Sequence, residues 1–215
     1  MTSTIVYATT DQLKAQPGIT SGGNDSVINL LLSAASRTID GMCNRPDGFK
    51  ADGVASVRTY VGKGCSYQLI DEAVEVQMLE IRLSRSGDWV AQSVDDWAPF
   101  VGDPDNPNFN KVPYHGVTLI GDLGPILIAD GTSAPGVLPV PTVRVTARWG
   151  YADTVPDPVV QATITQASRW FKRGQSSWAD AAANGDFGQL LFVKTLDPDI
   201  EMMLKTGQFM RTAYG

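Results

Sequence analysis

Histidine and cysteine are nearly missing from this 215-residue chain: His115 is the only histidine, and Cys43 and Cys65 are the only cysteines. One histidine excludes a metal site built from several imidazoles, and two cysteines exclude a disulfide-dense scaffold. The two thiols read as reduced, small and mostly buried in a protein made in the cytoplasm. Charge is sparse too, at 19% of residues against about 25% in average globular domains. Positive charge is the scarcer sign, with 17 lysines and arginines facing 23 aspartates and glutamates for a net −6. That balance excludes a broad basic surface for gripping nucleic-acid phosphates. Long apolar runs are also missing. The longest, Val27 to Ala35, is broken by Asn29 and Ser33, so it falls short of the ~18–20 residues that cross a bilayer. The opening Met1-Thr2-Ser3-Thr4 has no basic stretch leading into an apolar core, which predicts no signal peptide.

What is present points to an ordered, loop-rich protein. Hydrophobic residues make up 43% of the chain, too many for a disordered one. There are 21 glycines and 13 prolines, together above the usual ~12%. A chain of this length buries about 70% of its extended surface on folding and needs no staple.

The polarity pattern divides the sequence into three. Thr10-Asp11 caps a short helix that stops at Pro17-Gly18. After Ser21-Gly22-Gly23, Asn24 or Asp25 caps a longer helix. Its apolar stripe is Ile28, Leu31, Leu32, Ala35, Ile39 and Met42, with Arg37 and Asp40 off the stripe. Asn44, Arg45 and Pro46 end it, and Arg45 complements the negative end of the helix dipole. From about Val54 the period becomes two. Val57, Thr59 and Val61 alternate with Arg58 and Tyr60. A change of face near Met78–Leu79, inside one run, predicts a bulge or a short break there. Further strands are expected at Asp88–Ala91, Gly116–Ile120, Ile126–Ile128 and, most cleanly, Val143–Trp149. Such short strands between turn-rich loops predict a small antiparallel sandwich or barrel. Helix signals return with Asp157 as cap and Pro158 at the first helical position. Val160, Ile164, Ala167 and Phe171 form the inward stripe, and Gly174 marks the stop. Residues 175–188 read as an ordered loop or partial helix, and Asp197-Pro198-Asp199 starts a last helix. The fold class is therefore α+β. A helical bundle is built from residues 1–50 and 151–215, with an antiparallel β-module, 51–150, inserted between them.

Catalytic motifs fail on inventory. His115 sits at a strand entrance, in Pro113-Tyr114-His115-Gly116, with no motif supplying a nucleophile or an orienting acid, so a structural role is expected. Gly62-Lys63-Gly64 is too short to cradle phosphate and reads as a hairpin turn. Asp103, Asp105 and Asn108 suggest a calcium loop, but Asn108 and Tyr114 stand where glycine and glutamate are needed. A solvated turn is expected there. No catalytic residue, cofactor site or metal site is assigned. Two features suit contacts between subunits. Trp178, in a polar segment, is either an interface anchor or folded onto its own helices. Arg169, Lys172 and Arg173 either compensate the helix dipole or salt-bridge a neighbouring copy. Trp149 and Trp170 are expected in the core.

Three stretches, in this order, resemble the head–tail connector (adaptor) family of long-tailed bacteriophages, in particular its actinobacteriophage members. They are "TTDQLKAQPGIT" with "DSVINLLLSAASRTIDGMCNRP" (Thr9 to Pro46), "VRVTARWGYADTVPDPVVQATITQASRWFKRGQSSW" (Val143 to Trp178), and "GDFGQLLFVKTLDPDIEMMLKTGQFMR" (Gly185 to Arg211). Together they cover roughly half the chain. "VRTYVGKG" and "LIDEAVEV" fit the same subgroup loosely. The resemblance implies a virion protein without catalysis, sited at the head–tail interface. Such a protein forms a ring, generally dodecameric, beneath the portal protein and extends the DNA channel. The implied partners are the portal protein, neighbouring copies of itself, and head-closure (stopper) or tail proteins. DNA would pass through the lumen without sequence-specific binding, and no membrane is involved. The segment from Asp197 to Arg211 becomes the portal-contact candidate, with Ile200, Met203, Leu204 and Phe209 as its apolar anchors. The alternative is that this helix packs on its own bundle. Asp40, Asp157, Asp180 and Asp186 are candidates to face the channel. Rival expectations are another neck or tail subunit (head-closure or tail-completion), or a ligand-binding β-module.

Overall fold

A computed structural model describes residues 5–16, 19, 24–84, 86–120, 127–132, 136–175, 181–183, 190–192 and 197–211. The chain divides into two compact units, Met1–Gly48 with Val155–Gly215, and Phe49–Thr154. Helices and an antiparallel sheet are both present, so the fold is α+β.

The first unit contains α1 (Thr10–Lys14), α2 (Asp25–Met42), α3 (Asp157–Gln175) and α4 (Pro198–Thr206). It also holds a two-stranded ribbon, Ala181–Ala183 with Leu190–Phe192. α1 begins with a capping box, in which Thr9 accepts from the Gln12 N–H while the Gln12 side chain accepts from the Thr9 N–H. α2 packs against α3, α4 against α3, and α1 against both α2 and α3. Between them Leu13, Ile28, Leu32, Ala35, Ile164, Ala167 and Phe171 are buried, which is the i, i+3, i+4 stripe at work.

The polar positions depart from expectation. Asn24 occupies the N-cap of α2, yet its side chain makes no capping hydrogen bond. Asp40, off the apolar stripe, is buried, because Tyr7 from the N-terminal segment lies over it. Arg45 is buried as well. α2 ends in a Schellman motif: Asn44 takes the left-handed conformation (φ 53°), Asn44 N–H donates to Gly41 O, and Arg45 N–H donates to Asp40 O. That turn aims Arg45 back into the protein instead of along the helix axis. In α3, Asp157 is the first helical residue rather than the cap. Gly174 does not stop the helix, which runs on to Gln175.

The second unit is one seven-stranded antiparallel sheet. Its strands are β1 (Ser56–Tyr60), β2 (Tyr67–Ile81), β3 (Val90–Ala91), β4 (Trp97–Asp103), β5 (Asn106–Asn108), β6 (Tyr114–Leu119) and β7 (Val143–Trp149). The order is β1-β7-β2-β6-β4-β5, with β3 also on β2. This path is open at β1 and β5, so the expected sandwich or barrel gives way, among the described residues, to a single sheet. β7 alternates buried and half-buried without a fault. β2 runs through to Ile81 and shifts register between Val76 and Met78, beside the expected bulge or break. Gly62-Lys63-Gly64 is not a hairpin turn, because β7 lies between β1 and β2. Instead Gly62 donates its N–H to Thr142 Oγ1 at 3.1 Å. Of the expected strand 126–128, Ile126 lies outside the described residues, whereas Ile128 is buried and donates its N–H to Cys65 O without entering a strand.

Candidate functional site

Local chemistry determines where α4 starts and stops. Asp197 caps it, accepting from the Asp199 N–H at 2.9 Å, and Pro198 fills the first helical position. The helix ends in a second Schellman motif, with Gln208 at φ 56°, Gln208 N–H on Lys205 O and Phe209 N–H on Leu204 O. Phe209 thereby folds back over Gly207, where a Cβ would stand 2.3 Å from its ring. The two helix ends then clasp each other. Arg45 Nε donates to Phe209 O at 2.9 Å, and Arg211 N–H donates to Cys43 O at 3.0 Å.

This geometry redistributes the candidate residues. Ile200, Leu204 and Phe209 are 1%, 0% and 7% exposed, so they anchor α4 to its own unit and offer a partner no surface. Met203 and Arg211 are half-buried. Asp197 pairs with Arg169 at 3.2 Å, which gives that arginine a carboxylate within its own chain. Lys172 is exposed and Arg173 half-buried on the last turns of α3. Trp178, Asp180 and Asp186 lie outside the described residues. Asp157 is exposed at the start of α3, whereas buried Asp40 cannot line a channel.

Two surface features escaped the sequence reading. Met202 is 65% exposed on α4, two residues from Ile200 and so off its apolar stripe. An apolar groove of about 280 Å³ runs beside α2 and α3, lined by Asn24, Val27, Leu31, Trp170, Phe171, Gly174 and Gln175. Its rim carries exposed Val27, and exposed Leu30 lies one turn further along α2. Trp170, expected in the core, is a groove wall and only half-buried, whereas Trp149 is buried in the sheet with its indole N–H on Ser56 O. The signal for the groove was Val27 and Leu30, apolar residues that widen the stripe of α2 beyond one face.

No protein-family model matches the chain, and no curated protein matches it. The chemistry at the site therefore rests on its own groups. Cys43 is buried at the α2 terminus, and burial pushes its thiol up to about 11, which makes it unreactive. Burial also raises the Asp40 carboxyl, against the opposing pull of the Tyr7 hydroxyl and Arg37. In the sheet, burial and the neighbouring Asp71 raise the Tyr60 hydroxyl. His115 belongs to β6, with Nε2 3.0 Å from Gly102 N and its ring edge-on to Phe100. The Asp103 loop is a β4–β5 hairpin in which Asp103 accepts from the Asp105 N–H. Among the described residues no cluster of three His, Cys, Asp or Glu side chains could hold a metal ion. No described helix is long and apolar enough to cross a membrane.

Proposed function

We propose that the chain is a structural virion protein, a head–tail adaptor that forms a ring beneath the capsid portal and extends the DNA channel towards the tail. One observation carries this reading. The stretches that resemble the connector family supply α2, α3 and α4, and these helices share one compact unit although a whole antiparallel sheet lies between α2 and α3 in the chain. That packing supports a helical bundle as the ring body. The net charge of −6 supports a wall that repels passing DNA without holding it. The apolar groove with Val27 and Leu30, and Met202 on α4, supply uncharged surface of the kind that subunit and portal contacts use. Ring contacts are head-to-tail, so closure depends on two different patches of each copy.

The test is the mass of the purified protein, by light scattering or native mass spectrometry, alone and with portal rings. Several copies on each portal ring are expected. A protein that stays monomeric and ignores the portal overturns the proposal.

A further inference from the structure

Residues Ile5 to Ala8, ahead of α1, run along one face of α2. Tyr7, 5% exposed, donates its backbone N–H to Ser36 Oγ at 3.2 Å and its hydroxyl to Asp40 Oδ1. Ser36 and Asp40 are one turn apart and so share that face. Arg37 donates from Nη2 to Ile5 O at 2.8 Å and stands 3.0 Å from Asp40 Oδ2. Gly48, at φ +77°, closes the socket, and a Cβ there would lie 2.5 Å from the Tyr7 hydroxyl. The carboxyl of Asp40 is thus covered by the segment that it holds.

We propose that residues 5–8 form a proton-linked strap, whose docking on α2 tightens as pH falls and loosens as Asp40 ionises. Docking strips water from the carboxyl group, which disfavours its charged form. The Tyr7 hydroxyl and Arg37 recover part of that loss, but Arg37 is 44% exposed and its attraction is correspondingly screened. Burial is the larger effect, and the docked carboxyl titrates above its ordinary value. The docked state therefore binds the proton more tightly than the undocked one. Docking is at full strength below about pH 3.9, the ordinary aspartate value, and weakens as pH rises through the raised value. Among the described residues, the groups that bear on Asp40 are the Tyr7 hydroxyl on the strap, Arg37 on its own helix and the Cys43 thiol at the helix end, which Arg45 in turn influences. Phenol, thiol and guanidinium groups keep their charge between pH 4 and 8, which leaves Asp40 as the titrating member of this cluster.

Amide hydrogen exchange of Tyr7 in the full-length protein, corrected for intrinsic rates and followed from pH 4 to 7.5, reads the strap directly. Its protection factor should fall as pH rises, by up to tenfold for each unit between the docked and undocked pKa values. Asp40→Asn, which retains an acceptor for Tyr7, should flatten the profile. Carbon-detected titration of the wild-type Asp40 carboxyl group gives an independent answer if that variant fails to fold. A flat wild-type profile, an unchanged profile in Asp40→Asn, or an Asp40 titrating at or below about 3.9 overturns the proposal.

Discussion

A methyl group on Gly207 would stand 2.3 Å from the Phe209 ring and 3.2 Å from Met203 O. Gly207→Ala should therefore push Phe209 out of its socket, at a cost of about 1–3 kcal/mol. Calorimetry should show the melting temperature falling by several degrees, although alanine is otherwise the better helix former. Arg45→Ala removes a charged donor to Phe209 O beside a buried ring. A loss of about 1–3 kcal/mol is expected in denaturant titration, whereas a merely exposed dipole-compensating arginine would show less than one. These residues were the least readable in the sequence. Periodicity sorts side chains by polarity, so it placed Asp40 and Arg45 in water. Their partners, Tyr7 and Phe209, come from 33 and 164 positions away, and no local window contains them.

Elements were more readable where one rule governs. β7 has only apolar residues, Val143, Val145, Ala147 and Trp149, on one parity, and its expected and observed limits coincide. β4 was missed because Pro99 sits inside it, and proline normally disqualifies a paired strand. β1 was found, but its buried side is the polar one. Arg58 lies over Trp149 and also pairs with Asp71, leaving Val57 56% exposed on the other face. α4 separates its roles by position. Ile200→Asp should unfold the helical unit, because it buries a carboxylate where Ile200 is 1% exposed. Met202→Asp should change stability by less than about 0.5 kcal/mol, and under the adaptor proposal it should reduce the protein's sedimentation with portal rings. If Met202→Asp destabilises the protein as much as Ile200→Asp, this division of α4 is wrong.

At the scale of the whole molecule, the alternation of helix and strand signals indicated an α+β chain, and the observed elements agree. The pairing of strands was beyond the sequence. Nothing in Gly62-Lys63-Gly64 announces that β7, some 80 residues later, will slip between β1 and β2. Closure into a sandwich or barrel was inferred from strand length and turn density, which do not specify a path. The clasp between the ends of α2 and α4 also has a consequence in time. A ribosome adds about 5–20 residues per second, so Arg45 waits roughly 10–30 s for the backbone of Phe209 and Arg211 to appear. All of Phe49–Thr154 has been made before then. The sheet can finish while α2 is still without its partners, and the helical unit is the last part of the protein to come into being.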